Sequence, residues 1–194
     1  MPRKVSSAQV RRNEWRSLVF AQGAGDGMAV TVEQYRHVMG HFATGVTIVT
    51  TAYKGRLAGM TANAITSVSL DPMLLLFCAD KRTRTHDIID RSGVFAVNIL
   101  TEKMRRLAKI FAENGRSQEQ RFRGLKYSTA KTGAPILEGN VGWIECRVVE
   151  RYAGGDHTIF VGEVVNANQG EGNPLIFHRG RYTALRQRHW SRKL

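Results

Sequence analysis

The sequence predicts a mainly β, antiparallel barrel, closed or nearly closed, with a few flanking α-helices. Three observations carry that prediction. Runs of β-branched and apolar residues of strand length greatly outnumber stretches with helical spacing. Short turn signals separate consecutive runs, among them Lys54-Gly55, Asp71-Pro72, Gly154-Gly155-Asp156 and Arg179-Gly180, so neighbouring strands reverse direction instead of crossing over. Neither a phosphate-binding glycine loop nor the glycine fingerprint that opens a doubly wound parallel sheet is present; within residues 23–28, Met28 stands where the third glycine would be.

Taken in order, residues 1–30 read as a basic extension, with a short helix over residues 10–20 and a glycine joint at Gly23, Gly25 and Gly27. The main domain spans residues 31–186, and residues 187–194 form a basic tail. Thr31 and Gln34 make a capping box, and Val32, Tyr35, Val38, Met39 and Phe42 recur at helical spacing, so residues 31–42 form an amphipathic helix whose apolar face covers one end of the core. The β-branched run 46–51 and residues 57–64 pair as a hairpin across Lys54-Gly55. Residues 67–70 lead as a loop to the break at Asp71-Pro72. The continuous apolar run 73–79 reads as the centre of the sheet, covered on both faces. A helix over residues 83–91 ends at Gly93, a strand follows over 94–100, and a helix over 102–113 turns Met104, Leu107, Ala108 and Phe111 inward. Residues 115–123 read as a polar, mobile loop. Strands at 141–152 and 158–166 and a last hairpin of 174–178 with 182–185 complete the barrel.

Composition narrows the classes of function. At 194 residues, 42% hydrophobic and 23% charged, the chain has the makeup of one globular domain with a terminal segment. No apolar run approaches the ~18 residues that span a bilayer, and the N-terminus lacks the apolar stretch of a secretory signal, so a cytoplasmic protein with no membrane partner is expected. Cys78 and Cys146 sit in apolar runs and read as reduced thiols. His37 and His41 lie one helical turn apart, but Val38 replaces the glutamate of a zinc protease and no third ligand is evident, so no metal is expected. Hydrolysis has no nucleophile elbow to support it. The net charge of +13 attracts anions, including nucleic acid, phosphorylated cofactors and acidic proteins. Part of that charge lies at the two ends, which weakens the case for a basic nucleic-acid-binding barrel.

Three segments carry chemistry. In residues 59–72 the small and hydroxylic side chains of Thr61, Ala62, Asn63, Ala64, Ser67 and Ser69 would let a flat ring approach the main chain; a bare Ser/Thr-rich barrel edge has the same composition. In residues 78–85 a strand end passes into a helix start carrying Lys81, Arg82 and Arg84 with Thr83 and Thr85. That arrangement suits a phosphate, and equally an N-cap beside a solvated charge run. In residues 154–164 a tight turn delivers His157 to the start of a strand, where a lone His is usually a surface or capped residue.

The order and spacing of these segments resemble the flavin reductase family with the FMN-binding split-barrel fold, which includes reductase components of two-component flavin monooxygenases. The resemblance runs over residues 35–185. It includes Phe42-Ala43-Thr44-Gly45-Val46-Thr47-Ile48-Val49-Thr50, the stretch from Thr61 to Ser69 with Asp71-Pro72, and Gly155-Asp156-His157 with Phe160-Val161-Gly162-Glu163-Val164. It implies an antiparallel split β-barrel of Greek-key type, in which Thr61, Ala62, Asn63, Ala64, Ser67, Val68 and Ser69 line the isoalloxazine. Cys78, Lys81 and Thr83 would lie at the ribityl and phosphate end, joined by Arg84 and Thr85, and His157 would face the nicotinamide. The family pattern often has Ser where this chain has Arg82 or Thr83. The implied activity is hydride transfer from NADH or NADPH to FMN or FAD by a homodimer that feeds a separate flavin-dependent monooxygenase. The rival within the class is a flavoprotein that keeps its flavin and reduces another acceptor such as ferric chelate.

Overall fold

The structure, a computed structural model, describes residues 29–185. The helix and glycine joint expected within residues 10–27 and the basic tail at 187–194 lie outside them. Helix α1, Val32–Gly40, opens on the expected capping box, with Gln34 N donating to Thr31 Oγ1 (3.1 Å) and Thr31 N to Gln34 Oε1 (2.9 Å). None of its residues is buried. Amphipathic spacing specifies a face, not what lies against it.

The strands are β1 (Thr44–Gly45), β2 (Thr47–Tyr53), β3 (Arg56–Ala62), β4 (Ile65–Leu70), β5 (Met73–Asp80), β6 (Val94–Ile99), β7 (Tyr127–Ser128), β8 (Ile136–Leu137), β9 (Gly142–Gly154), β10 (His157–Gln169), β11 (Leu175–His178) and β12 (Arg181–Ala184). Seven of them form one antiparallel sheet in the order β3-β2-β6-β9-β10-β5-β4. Its outermost strands, β3 and β4, are consecutive in the chain and joined only by Asn63 and Ala64. Three peptide steps separate Ala62 from Ile65, a reach of at most ~11 Å. The sheet therefore curls until its two edges meet at one end, and among the described residues those edges form no ladder with each other. The closure is covalent, and the barrel is split.

Two clusters fill the two sides of β2. Val49, Leu75, Phe77, Ala79, Phe95, Val97, Cys146 and Phe160 pack inside the barrel, with Ile89 from helix α2 (Arg84–Ser92) among them. Val46, Ile48, Leu100 and Leu175 pack outside, under Ala108 and Phe111 of helix α3 (Arg105–Ala112) and Phe122 of helix α4 (Gln118–Phe122). The strand covered on both faces is thus β2 and not β5, which lies next to an edge. In β5, Leu75, Phe77 and Ala79 are buried, while Leu74, Leu76 and Cys78 on the other face are half-exposed. A continuous apolar run cannot distinguish a second covered face from an apolar face left open.

Helix α4 replaces the loop expected over residues 115–123. Ser117 and Gln120 form a second capping box, and Phe122 is buried. The helix docks on β3 at Gly59: Gly59 N donates to Gln118 Oε1 (2.9 Å), and Arg121 Nη1 donates to Gly59 O (3.0 Å) and Phe111 O (2.8 Å). A Cβ at Gly59 would sit 2.7 Å from the Phe111 ring, so the close approach requires glycine. Residues 67–70, expected as a loop, extend the strand β4.

Glu145 on β9 is fully buried. Its carboxylate accepts from Lys131 N (3.0 Å), Thr132 N (2.8 Å), Thr132 Oγ1 and Asn166 Nδ2 (2.9 Å), pinning the turn before β8 to the sheet. Burial by itself pushes this carboxyl up, but the converging donors outweigh it and hold the group below the usual glutamate range. Its folded pKa lies below the unfolded value of about 4.3, so its stabilisation is complete above that pH and lost as pH falls through the folded value. Glu145→Gln, which strands at least one of these donors, should cost about 2–4 kcal/mol and lower Tm by about 5–12 °C at neutral pH. The gap from wild type should shrink below about pH 4, as thermal unfolding across pH will show.

Candidate functional site

The corner where β3, β4, β5 and β10 meet gathers most of the residues singled out from sequence. The link between β3 and β4 is fixed on both sides: Thr47 Oγ1 donates to Ala62 O (2.7 Å), Cys78 N to Ala64 O (3.0 Å), and Asn63 Nδ2 to Thr44 Oγ1 (3.1 Å). Beyond it, β4 pairs with β5 through Ile65–Phe77, Thr66–Leu76 and Ser67–Leu75, then bulges past Val68 to Ser69–Leu74. The other edge of β4 is the open side of the split, and Ser67 and Val68 are exposed there. A strand edge of this kind presents main-chain N–H and C=O groups to whatever lies beside it. Ser69 Oγ accepts from Asp71 N (3.2 Å).

At the far end of β5 the chain turns through Lys81 and Arg82 into helix α2. Thr83 is its N-cap: Oγ1 accepts from His86 N (3.2 Å) and donates to Asp80 O (2.8 Å). The first amides of a helix have no partner within it, so those of Arg84 and Thr85 remain for an outside oxygen at the positive end of the helix dipole. Arg84 is exposed. Arg82 forks onto Asp80, with Nη2 2.7 Å from Oδ2 and Nε 3.1 Å from Oδ1, and holds that carboxyl well below the usual range.

The turn of Gly155 and Asp156 brings β10 back beside this loop, with Gly155 in the left-handed region (φ 67°). Lys81 N donates to Asp156 O (3.1 Å) and Lys81 Nζ to Gly155 O (2.6 Å), and His157 stands opposite Asp80 across the ladder. His157 Nδ1 lies 2.7 Å from Asp156 Oδ1. A carboxylate only accepts, so Nδ1 carries the hydrogen and the neutral ring keeps Nε2 as its acceptor. The same bond pushes the Asp156 carboxyl down. Burial pushes the Cys78 thiol up.

Ala62, Asn63, Ala64, Cys78, Lys81, Thr83, Arg84 and His157 therefore gather about the C-terminal end of β5, whereas Ser67 and Ser69, opposite Leu75 and Leu74, stand five to six residues, ~16–20 Å, back along that strand from Asp80. Two hydroxyls are committed elsewhere. Thr61 Oγ1 donates to Ala108 O (2.7 Å), and buried Thr85 takes a bond from Gln118 Nε2 (3.4 Å), so these side chains dock helices and leave only their main chain to a ligand. Sequence reasoning did not single out the Asp80–Arg82 fork or His86, whose ring meets Thr158 beside His157. An i, i+2 acid–base pair at a strand end was the available signal for the fork; nothing in the sequence pairs His86 with Thr158.

Fold and site together define an antiparallel barrel with an open, main-chain-lined edge on β4 and, past the far end of β5, a cationic helix start. A family model described as the flavin reductase like domain matches residues 39–186. The reductase subunit HsaB of a flavin-dependent monooxygenase from Rhodococcus jostii (strain RHA1) is 36% identical over 170 residues, 87% of this chain and 86% of that protein. The NADH-dependent FMN reductase AsuE2 of Streptomyces nodosus subsp. asukaensis is 38% identical over 159 residues, 79% of this chain and 84% of that one. The solved structure of the NADH:FAD oxidoreductase SgcE6 from Streptomyces globisporus C-1027 matches with a TM-score of 0.77 and 34% identity, covering 84% of this chain and 100% of its own. The chain belongs to the flavin reductase family.

The N-cap gives a direct check on the corner. Thr83→Ala removes an acceptor at the helix start and should cost about 1 kcal/mol, or about 2–4 °C in Tm, whereas Thr83→Ser should stay near wild type in the same thermal melts.

Proposed function

We propose that this chain is an NAD(P)H-dependent flavin reductase that passes a hydride from NADH or NADPH to FMN or FAD and supplies the reduced flavin to a separate flavin-dependent monooxygenase. The reading is supported by an open β4 edge that runs along β5 toward the turn where the α2 N-terminus and His157 stand side by side. The family assignment makes the chain an oxidoreductase, and the HsaB relative is named as a monooxygenase reductase subunit.

The residues present suit such ligands. Main-chain groups of Ser67, Val68 and Ser69 on an unpaired edge, with Ala62, Asn63 and Ala64 beside them, can bond the polar rim of a flat ring without large side chains intervening. Arg84, Lys81 and the first amides of α2 can take a phosphate, with Cys78 between ring and phosphate. His157, its tautomer fixed by Asp156, presents Nε2 to the nicotinamide and holds it in place; no proton is removed from the substrate, so His157 is not a general base. A bound flavin supplies the electron-accepting ring, and the chain's task is to bind and orient the two partners.

The reading includes a homodimer. On the open face of β5 and β10, Leu74, Leu76, Ile159 and Val161 are half-exposed, and Leu70 and Met73 at the adjoining turn are 85% and 55% exposed. Contiguous apolar surface of this kind marks an interface. The free thiols of Cys78 and Cys146 suit the reducing cytoplasm.

The test is oxidation of NADH and NADPH, followed at 340 nm, by purified protein with and without added FMN or FAD. Turnover that requires added flavin is the expected result. No turnover with any pair would refute the reading, and turnover only with ferric chelate by a yellow, flavin-loaded protein would replace it with a flavoprotein that keeps its cofactor.

A further inference from the structure

His86 is the third residue of α2, and its side chain leaves the helix toward the sheet. Its Nε2 lies 2.9 Å from Thr158 Oγ1, its ring centroid lies 5.4 Å from that of Phe160, and its side chain is only 15% exposed. Its main-chain N–H is the one that Thr83 Oγ1 caps. One residue therefore joins the helix start, where the phosphate site lies, to the first turn-proximal residues of β10.

The direction of that join matters. Successive side chains on a strand point to opposite faces. Thr158 stands opposite buried Ala79 and points to the barrel side, under α2, whereas His157 stands opposite Asp80 and points to the outer side. His86 thus reaches β10 from behind His157. It approaches from the face opposite a ligand held by His157, and adds a side-chain tie from α2 to a strand segment whose main chain is laddered to β5 and β9.

The main chain of this segment is laddered to β5 on one side and to β9 on the other, and Lys81 adds two bonds, its N and Nζ holding Asp156 O and Gly155 O. Those bonds fix the turn that precedes His157, and Nζ is solvent-exposed at the end of a flexible chain. The His86–Thr158 contact is the side-chain tie that fixes the residue following His157, and the Phe160 ring restricts the imidazole on one side. Asp87, with Oδ1 3.4 Å from Nδ1, restrains the other nitrogen.

We infer that His86 is a positioning residue for the nicotinamide, acting through Thr158 to set His157. The inference rests on the flavin reductase reading above. It is not a catalytic role, and it separates two affinities that one corner would otherwise share: loss of the tie should loosen nicotinamide binding while the flavin edge on β4, which His86 does not touch, stays as it was.

Four variants test it: His86→Phe, which keeps an aromatic ring against Phe160 and removes the hydrogen bond; His86→Gln, which can restore one; Thr158→Val; and the double variant His86→Phe/Thr158→Val. The measurements are NADH KM and kcat at saturating flavin, calorimetric affinity of flavin-free protein for NAD+, flavin affinity by fluorescence quenching, and thermal unfolding. His86→Phe and Thr158→Val are each expected to raise KM and weaken NAD+ binding about three- to tenfold, the range a single hydrogen bond supplies, with kcat and flavin affinity within about twofold of wild type. The double variant should be no worse than either single one, since both remove the same bond. His86→Gln should recover most of the loss. Unchanged KM and NAD+ affinity in His86→Phe, with wild type active, would overturn the inference alone. So would a joint fall of nicotinamide affinity, flavin affinity and Tm without rescue by Gln, which marks packing and not positioning. Wild type that neither oxidises NAD(P)H nor binds flavin would remove the functional reading itself, and this inference with it.

Discussion

Asn63 and Ala64 are all that joins the two outer strands of a seven-stranded sheet, so the sheet has to curl until those strands meet. Hydrogen bonds could have closed the barrel along its whole length. A two-residue link closes it at one end only and leaves β4 with an unpaired side, a liability that proteins usually cover or blunt. Here the exposed edge carries Ser67 and Val68 and runs along β5, whose far end leads into the start of α2, so the break in the ladder becomes a place where a flat ligand can find main-chain partners. The bonds donated to the link by Thr47 and Cys78, and the one Asn63 donates to Thr44, keep that place fixed.

The supporting structure is arranged around the same constraint. Helices α3 and α4 press on β3 through Gly59, Phe111 and Arg121, holding the first edge strand, while Glu145 gathers the turn before β8 onto β9 in the middle of the sheet. Charge near the corner is local and largely paired: Arg82 is spent on Asp80 and Asp156 on His157, leaving Arg84 and the helix amides for an anion. Nine of the 29 basic residues but only two of the 16 acidic ones fall in residues 1–28 and 186–194, so more than half of the +13 sits outside the described barrel. A nucleic-acid role has that much less charge on the barrel to draw on.

Much of this was legible in the sequence because local signals sufficed. The Lys54-Gly55 and Arg179-Gly180 turns have the positive φ angles that two-residue hairpins need, the Thr31 and Thr83 caps form, and Gly93 ends α2 in the left-handed region. What failed depended on distant partners. The run from Met73 to Ala79 looks central because it is apolar throughout, yet its outer face is open. Residues 115–123 look like a loop because Arg116, Gln120 and Arg123 are polar, yet Phe122 and Gln118 have β3 to pack against. The hydroxyls of Thr61 and Thr85 look available until α3 and α4 are in place, and His86 has no sequence neighbour that reveals Thr158.

Amide hydrogen exchange, compared with and without saturating FMN or FAD, tests most directly whether the split is the flavin site. Slowed exchange at residues 66–69 of β4 and at Arg84 and Thr85 is expected, with little change in β7 and β8. Slowing confined to the β7–β8 ribbon or to α3, with β4 exchanging as before, would contradict it.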